Sequence, residues 1–536
     1  MSRTIVLLYP RFEPDFPNPK KRIGLPLAPL TVARPLVKAG YDVRIIDENV
    51  HPRAIDELRK CPKPLYVGLS VLGGNTVNTG RALAEQVKSL WPDVPRVWGG
   101  WNPTLMTKAY EHPSARQWVE VIVRGRGEAQ ALEIAERMSR GETGFDGVPG
   151  VSWWDENGDL HRNEDAPFDD PTESELLPYQ LIGNLEPYTT KYGIINYVAS
   201  YGCPFKCEFC GIPAGTRTFK PTANHRVVNH FKHFQHMGMK EVVLYDDNFF
   251  NTKSRVLELA QQLVDANVDI KWHCNGRVDQ INRLTDEEMA LVARSGLMSI
   301  NVGYETGDQE VADGVQKGTN VEDVFLLADT LKRNKIGLSI NFIVGLPGET
   351  PESLVRSMQS LVRIYERQPN MEVSWYIFMP QPGTPLWDKL IASGELTDQE
   401  TLVDHGKFDT IFMEHPFLYR GPPRRLWREW RSKHKAIAWY FWTAYVSPIP
   451  ANRLSKWLFL KLVRPFCRWR YENGKFRIRL DWKLAFYMHW TGIYIRWGFK
   501  HLSRTQPFFA LWRGWRKIRP TKDPDYIPVA GIPRSF

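Results

Sequence analysis

Short apolar segments alternate with longer amphipathic segments along two stretches of the chain, and this alternation limits the possible folds more than any other feature. One stretch covers residues 1–150 and the other covers residues 194–395. Strands and helices that alternate at this spacing are typical of parallel sheets with helices on their faces. Such sheets bind their ligands at the carboxyl ends of the strands. The sequence therefore predicts an α/β protein with two parallel sheets.

The first stretch, residues 1–150, is predicted to form a doubly wound, Rossmann-like domain. Its predicted strands are 4–9, 42–46, 66–71, 96–98 and 119–123, with amphipathic helices such as 30–39 and 78–89 between them. Glycine and small or polar residues follow the strand ends. Because glycine lets the backbone approach closely, these ends suit a large flat ligand.

Residues 151–193 are predicted to link the two stretches. Residues 153–159 resemble a hairpin with Asn157 and Gly158 at its turn. The segment 165–178 is acidic and contains proline, which is typical of a linker between domains.

The second stretch, residues 194–395, is predicted to form a partial (β/α)6 barrel. The predicted strands are 194–199, 241–245, 270–274, 298–304, 337–344 and 373–378, and the helices include 255–266, 286–295 and 321–334. The ends of barrel strands face one cavity. We therefore expect the loops after these strands to form one site.

Three of the six cysteines, Cys203, Cys207 and Cys210, form a CxxxCxxC pattern directly after the first predicted barrel strand. With no fourth Cys or His near, a tetrahedral zinc site would lack one ligand. Three thiolates do suit a cubane iron-sulfur cluster with one iron left open. A zinc knuckle and three unrelated thiols are the alternatives.

This loop resembles that of the radical S-adenosylmethionine (SAM) superfamily, including its flanking residues Ser200, Gly202, Pro204, Phe205 and Phe209. The resemblance implies a [4Fe-4S] cluster on the three cysteines and SAM chelated by the open iron. It also implies cleavage of SAM to a 5′-deoxyadenosyl radical and an electron donor such as flavodoxin or ferredoxin. No residue is assigned as a catalytic acid or base.

The same resemblance implies SAM-binding residues at the later strand ends. These are Asp246, Asp247 and Asn248 for the SAM amino group, then Arg277, then Glu305 in a glycine-glutamate segment, and Gly345 and Glu349 in a GxIxGxxE-like adenosine-binding segment. Helix capping is the alternative for the two aspartates. For Glu349 the alternative is an interaction with a helix dipole.

The first domain resembles the cobalamin-binding domain that precedes the radical domain in one radical SAM subfamily. The resemblance implies cobalamin contacts at the strand ends, for which we select Ser70, Gly99, Gly100, Thr104 and Glu128. Arg126 stands where relatives often carry Glu. The DxHxxG signature is absent, so His51 is not assigned as a cobalt ligand. The alternative is a domain that no longer binds a ligand.

The resemblance spans roughly 400 residues and covers class B radical SAM methyltransferases and anaerobic magnesium-protoporphyrin ester cyclases. It implies methylation of an unactivated carbon with methylcobalamin as donor. Oxidative cyclisation or rearrangement of a tetrapyrrole-like substrate is the alternative. A methylthiotransferase is disfavoured, because such enzymes usually carry further N-terminal cysteines and this chain has only Cys61 before the loop.

Residues 396–536 are predicted to form a mostly helical, basic and aromatic tail. Residues 424–520 contain 23 Lys and Arg against three acids, and 11 of the 20 Trp. This composition favours a membrane surface and hence an apolar lipid, isoprenoid or tetrapyrrole substrate. A cap over the barrel and single-stranded nucleic acid are the alternatives, the latter disfavoured.

The location predicted from sequence is the cytoplasm, with the tail on the inner membrane. The cysteines form no disulfide framework, and the start of the chain has no secretory signal. The apolar run 436–446 is too short to cross a bilayer, which needs about 20 residues.

Overall fold

The computed structural model contains two large sheets, one in each of the alternating stretches. It describes residues 2–12, 24–167, 170–189, 193–212, 218–396, 398, 400–406 and 459–473. The first sheet has seven strands in the order β2-β1-β3-β4-β5-β6-β7. These are β1 (Thr4–Tyr9), β2 (Asp42–Asp47), β3 (Val67–Ser70), β4 (Arg96–Gly99), β5 (Val121–Val123), β6 (Val151–Trp154) and β7 (Leu160–Arg162).

Strands β1 to β5 are parallel, and helices cover both faces of the sheet. Every residue of β1 is buried. Ile5 belongs to the same core as Leu36 and Ile134, which lie on helices. Val6 faces the other side and shares a second core with the helical Leu83. Burial on both faces explains why β1 is a continuous apolar run.

The helices of this first domain connect successive strands. They are Leu27–Lys38, Ala54–Leu58, Asn75–Leu90, Trp101–Leu105, Thr107–Tyr110 and Glu128–Ser139, with a 3-10 helix at Pro113–Gln117. A 3-10 helix, Tyr179–Ile182, and a short helix, Glu186–Thr189, lead from the first domain to the second.

The second sheet has six parallel strands in the order β15-β14-β13-β12-β11-β8. A small antiparallel pair, β9 with β10, lies beside it. In chain order the strands are β8 (Ile194–Tyr197), β9 (Ser200–Tyr201), β10 (Lys220–Pro221), β11 (Glu241–Leu244), β12 (Lys271–Gly276), β13 (Leu297–Glu305), β14 (Gly337–Val344) and β15 (Met371–Ile377). Each of these six strands pairs with the next of the six along the chain. Because β8 and β15 are the two edges of the sheet, the barrel is open.

Helices pack on one face of the barrel sheet. They are Asn224–His236, Lys253–Asp265, Val278–Ile281, Asp286–Arg294, Gln309–Gly314, Asp323–Arg333 and Pro351–Arg367, with a 3-10 helix at Phe249–Asn251. Trp272, Ile300 and Leu338 share one core with residues of these helices. The alternate positions on the opposite face are polar, as at Asn196, His273, Asn301 and Ser339. Two further helices, Pro385–Ala392 and Leu402–Gly406, follow the barrel.

The architecture confirms the predicted fold class, in which a Rossmann-like sheet precedes a partial barrel of six strands. One predicted element lies elsewhere. The hairpin that we assigned to the linker extends the first sheet, because β6 pairs antiparallel with β5 and β7 pairs with β6. Its Asn157 and Gly158 form the turn, as expected.

Most of the predicted tail, including the apolar run 436–446, lies outside the described residues. Within them, a π-helical segment at Phe459–Val463 leads into the helix Arg464–Glu472. Cys467 of this helix is buried and belongs to the barrel core, whereas Phe466 and Trp469 are exposed. Across the ranges that the structure describes, no helix is both long and apolar enough to span a membrane.

Candidate active site at the facing strand ends

The cysteine loop of the barrel lies against the loop that follows β4 of the first domain. A Cβ atom at Gly211, directly after Cys210, would be 3.2 Å from both Leu105 Cδ1 and Trp101 Nε1. Gly383, which follows β15, approaches the same segment, since its Cβ would be 2.7 Å from the Leu105 carbonyl oxygen. The carboxyl ends of the two sheets therefore border one space.

The three cysteines of this loop are free thiols. Cys207 is buried, whereas Cys203 and Cys210 are half-buried. Burial raises the pKa of the Cys203 thiol, and it raises the pKa of Cys210 to about 12. Because thiolates are the metal-binding form, loading with iron must release these protons.

No three His, Cys, Asp or Glu side chains among the described residues converge to hold a single metal ion. A four-iron cluster makes a different demand, because each thiolate binds a different iron and the sulfur atoms stand farther apart. Three free thiols on one loop, with no fourth protein ligand in the set, fit such a cluster better than they fit zinc.

Asp246 and Asp247 hold the backbone of the cysteine loop. Asp246 is fully buried, accepts a hydrogen bond from the Ala199 amide at 2.8 Å and accepts another from the Ser200 hydroxyl. Asp247 accepts one from the Gly202 amide at 2.8 Å. Burial raises the pKa of Asp246 to about 6. Both predicted SAM ligands thus use carboxylate oxygens to position the loop.

Asn248 is also buried, but its side-chain amide has no hydrogen-bond partner among the described residues. A buried, unpaired amide is costly and is uncommon in folded proteins. This side chain therefore remains the member of the Asp246 to Asn248 group best suited to bind a cofactor.

Glu305 lies at the end of β13 in a left-handed conformation, with a φ of 66°. Its carboxylate accepts a hydrogen bond from Lys317 Nζ at 3.2 Å, and both side chains are almost fully buried. Gly303 leaves space for this pair, since a Cβ there would be 2.2 Å from Glu305 Oε1. The predicted SAM residue thus has a charged partner that the sequence did not reveal.

Glu349 lies in the loop after β14 and forms a hydrogen bond with the start of that loop. Its carboxylate accepts a hydrogen bond from the Gly345 amide at 2.6 Å, and Gly345 has a φ of 91°. Burial raises the pKa of Glu349 to about 8. The two residues predicted from the GxIxGxxE-like segment therefore contact each other.

The ends of β3 and β4 in the first sheet consist of glycine backbone and the hydroxyl of Ser70. Ser70 and Gly99 are paired neighbours on β3 and β4, and Ser70 Oγ is buried without a partner in the described part of the chain. Gly100 has a φ of 106°, and a Cβ there would lie 2.7 Å from the Val71 carbonyl oxygen. A side chain at Gly100 would clash with the backbone of this loop, and cobalamin contacts at Ser70, Gly99 and Gly100 stay a prediction.

Thr104 and Glu128 are engaged within the protein. The Thr104 hydroxyl donates to the Gly100 carbonyl at 2.7 Å and accepts from the Gly125 amide at 2.9 Å, which ties two strand-end loops together. Glu128 forms an ion pair with Arg126. Arg126 in turn lies over the ring of Tyr201, at the start of the cysteine loop.

Two family models match the chain, and together they cover both domains. The model described as Radical SAM superfamily matches residues 197–361, and the model described as B12 binding domain matches residues 21–135. The chain belongs to the cobalamin-binding radical SAM family. The cofactors of this family are a [4Fe-4S] cluster, SAM and cobalamin.

Several curated members of the family are similar to the chain. An uncharacterized methyltransferase of Pyrococcus horikoshii is 24% identical, over 73% of this chain and 84% of its own. An anaerobic magnesium-protoporphyrin IX monomethyl ester cyclase of Rubrivivax gelatinosus is 27% identical, over 72% and 69%. A hopanoid C-3 methylase of Methylococcus capsulatus is 24% identical, over 68% and 69%.

The fold is also similar to a solved structure of the radical SAM methyltransferase TsrM from Kitasatospora setae. The TM-score is 0.65 at 19% identity, and the match covers 88% of this chain and 100% of that one. This likeness supports the order of the two domains and the open barrel.

Sequence reasoning missed residues whose roles depend on contacts between distant segments. Lys317 follows a helix and has no motif of its own, and Trp101 and Tyr201 become part of the site only through contact between the domains. The one available signal was position, since Tyr201 lies two residues before Cys203 and Trp101 directly follows the glycines after β4.

Proposed function

We propose that this protein is a C-methyltransferase that transfers a methyl group from methylcobalamin to an unactivated carbon of an apolar substrate. The observation that carries the proposal is the contact of Gly211 with Trp101 and Leu105. Through this contact the cysteine loop and the strand ends of the B12-binding domain border one space. A substrate carbon in that space can be reached from both cofactor sites.

The chain's own residues supply the framework for this reaction. When bound, the cluster and SAM supply a radical that removes hydrogen from the substrate, and cobalamin supplies the methyl group. Cys203, Cys207 and Cys210 would hold the cluster. Asp246 and Asp247 hold the loop that carries these cysteines.

Apolar side chains beside the site support an apolar substrate. A small pocket between the domains is lined by Leu72, Gly73, Gly74, Trp101, Asn102, Leu105, Gln381, Pro382 and His405. Leu72, Tyr245 and Tyr376 lie at strand ends and are 41%, 42% and 50% exposed. Large apolar groups left open at strand ends favour a ligand that covers them.

The names of two relatives favour the same class. One is a hopanoid methylase and the other acts on a magnesium porphyrin, so both names refer to large, mainly apolar ring systems. We extend this class to the present chain as a lipid, isoprenoid or tetrapyrrole.

The test is a search for transferred methyl groups. Reconstituted protein, hydroxocobalamin, a low-potential reductant and SAM with a deuterated methyl group, which would also methylate the reduced cobalamin, are incubated with lipid and pigment extracts from a strain that lacks the gene. A parallel incubation uses the water-soluble peptide and sugar fraction of the same strain. We expect a product that carries the labelled methyl group and equimolar 5′-deoxyadenosine. Labelled product on a water-soluble peptide or sugar fraction alone would contradict the apolar class.

Oxidative cyclisation is the second candidate, because a cyclase is 27% identical over 72% of the chain. The same experiment separates the two reactions. A cyclase would form a product that has lost hydrogen on ring closure and that carries no labelled methyl group.

We also propose a cytoplasmic enzyme that docks on the membrane through its tail and takes electrons from flavodoxin or ferredoxin. The support is the basic and Trp-rich composition of residues 424–520. Phe466 and Trp469, which are 45% and 51% exposed on the helix Arg464–Glu472, add to it. Basic helices with exposed aromatics bind at anionic lipid surfaces.

A further inference from the structure

Arg277 lies at the end of β12 and points at the sulfur of Cys207. Its Nη1 donates to Cys207 Sγ at 3.5 Å, and its guanidinium carbon is 3.7 Å from the centre of the Phe205 ring. The side chain is only 7% exposed. The family resemblance implies that Arg277 binds SAM, but the side chain contacts Cys207, one of the three proposed cluster ligands.

The other donors of Arg277 are occupied by protein acceptors. Nε donates to Asp279 Oδ1 at 3.0 Å, and Nη2 donates to the carbonyl oxygens of Lys317 and Gly318 at 2.9 and 3.4 Å. Of the roughly five N–H groups of a guanidinium, about one is left outside these bonds in the described structure. This leaves little capacity to bind the carboxylate or ribose of SAM.

We propose that Arg277 is a positioning residue that acts on the cluster through Cys207 and raises the reduction potential of the cluster. Reduction adds a negative charge to the cluster. A buried cation that donates an N–H group to a ligand sulfur stabilises the more negative form. Asp279 offsets part of this charge, but it faces Nε, whereas the sulfur faces Nη1.

The same contacts also determine where Cys207 sits. Phe205, Cys207 and the segment Lys317 to Gly318 all meet the one guanidinium. Arg277 thereby joins the cysteine loop to the end of β12 and to the segment that follows the helix Gln309–Gly314. This inference rests on the three cysteines as cluster ligands, which is part of the proposed function.

The test is a redox titration of the reconstituted, full-length protein without SAM, followed by electron paramagnetic resonance. In Arg277→Gln we expect the ratio of reduced to oxidised cluster at a given potential to fall about tenfold, a shift of roughly 60 mV for a one-electron couple, because the positive charge beside the sulfur is lost. Arg277→Lys keeps the charge and should lie between wild type and Arg277→Gln. SAM affinity, measured by equilibrium dialysis, should change less than about threefold.

Arg283→Gln is the matched control. Arg283 donates to the carbonyl oxygens of Gln280, Phe250 and Asn251 and to no cysteine, so its loss tests local structure alone. It should leave the potential unchanged. If Arg277→Gln does not retain iron, Arg277→Lys decides the question.

Two outcomes would overturn the proposal. One is a wild-type potential in Arg277→Gln, or in Arg277→Lys where only that variant carries a full cluster. The other is a large loss of SAM affinity with no change in potential, which would restore Arg277 as a SAM ligand. Failure of the cluster assignment itself would appear separately, as normal iron content in a variant that lacks all three cysteines.

Discussion

The guanidinium of Arg126 lies 3.8 Å from the centre of the Tyr201 ring and connects the B12-binding domain to the cysteine loop. Arg126 is also paired with Glu128, and both of these side chains are only 13% exposed. The cation is therefore held between a carboxylate of its own domain and an aromatic ring of the other. Arg126 thus forms a contact between the domains that an acidic side chain could not make.

Without this contact, the two domains should be coupled less tightly. We expect Arg126→Gln and Tyr201→Ala each to destabilise the protein, with a coupling of about 1 kcal/mol in a double-mutant cycle measured by denaturant unfolding. Tyr201→Phe keeps the ring and removes only the hydroxyl that hydrogen-bonds Arg126, so it should retain part of the coupling and thus separates the two contributions. Strictly additive effects would show that the contact carries no energy.

The cysteine loop should be the sole site of iron in the reconstituted protein. Replacing Cys203, Cys207 and Cys210 with Ala should remove the cluster absorbance and all cleavage of SAM, because the thiolates are its only proposed protein ligands. The matched control is Cys274→Ala, which removes a buried thiol of the barrel core. Iron at the wild-type level in the triple variant would refute the assignment.

Gly100→Ala should disturb the cobalamin site. The new Cβ would lie 2.7 Å from the Val71 carbonyl oxygen at a φ of 106°, so we expect a destabilisation of about 1–3 kcal/mol and weaker retention of hydroxocobalamin through desalting. Gly147→Ala shares a positive φ of 77° but meets no atom within 4 Å, and it should retain the corrinoid. His51→Ala should retain it too. Equal retention by Gly100→Ala would argue against this strand end as the site.

Stability should depend on pH through Glu349. Burial raises its pKa from 4.5 to about 8 in the folded protein, so between these values the folded state binds more protons than the unfolded state. The free energy of unfolding therefore falls, and the protein becomes less stable, as the pH rises towards 8. Glu349→Gln removes this dependence, and its stability relative to wild type should increase by up to ~1.4 kcal/mol per pH unit.

Denaturant unfolding of both cofactor-free proteins between about pH 6 and pH 8 measures this difference. The Gln side chain can still accept the hydrogen bond from the Gly345 amide, so the two proteins differ mainly in the ionisable proton. Parallel stability curves for the two proteins would show that the carboxyl is already ionised when folded.

The tail should bind anionic vesicles in a salt-dependent manner. Attraction is worth roughly 1 kcal/mol for each basic residue near the surface, so full-length protein should sediment with vesicles at low salt and partly dissociate at high salt. A chain that ends near residue 408 should stay in solution. Phe466→Ser with Trp469→Ser should bind more weakly, while Leu326→Ser, which changes an exposed side chain of the barrel, should not differ from wild type. If the full-length protein stays in solution as the truncated chain does, and is monodisperse without detergent, a tail that only caps the barrel is favoured.

Most strands could be predicted because their signals are local. Strand β14, for example, is predicted at 337–344 and is observed at Gly337–Val344, since apolar residues that face the helices alternate with small or polar residues within one run. The cysteine spacing was equally local. The hairpin β6 to β7 could also be predicted. Its pairing with β5 could not, because the residues of a segment do not specify which other strand it pairs with.

The roles of individual site residues were harder to predict than their positions. Asp246 follows its strand as expected, yet its carboxylate accepts a hydrogen bond from the amide of Ala199 and does not point into the open site. Arg277 and Glu305 likewise meet Cys207 and Lys317. A sequence motif places a polar group at a strand end, but the direction of its side chain depends on neighbours that fold in from elsewhere.

The absence of a side chain at Gly211 has a consequence for chimaeric enzymes. Because Trp101 and Leu105 lie against this residue, the other domain contributes part of the wall of the proposed iron site. A barrel fused to a first domain from a relative would need a loop that meets Gly211 equally closely. Where that loop falls short, dioxygen would gain a route to the cluster, and the hybrid would lose iron in air faster than either parent.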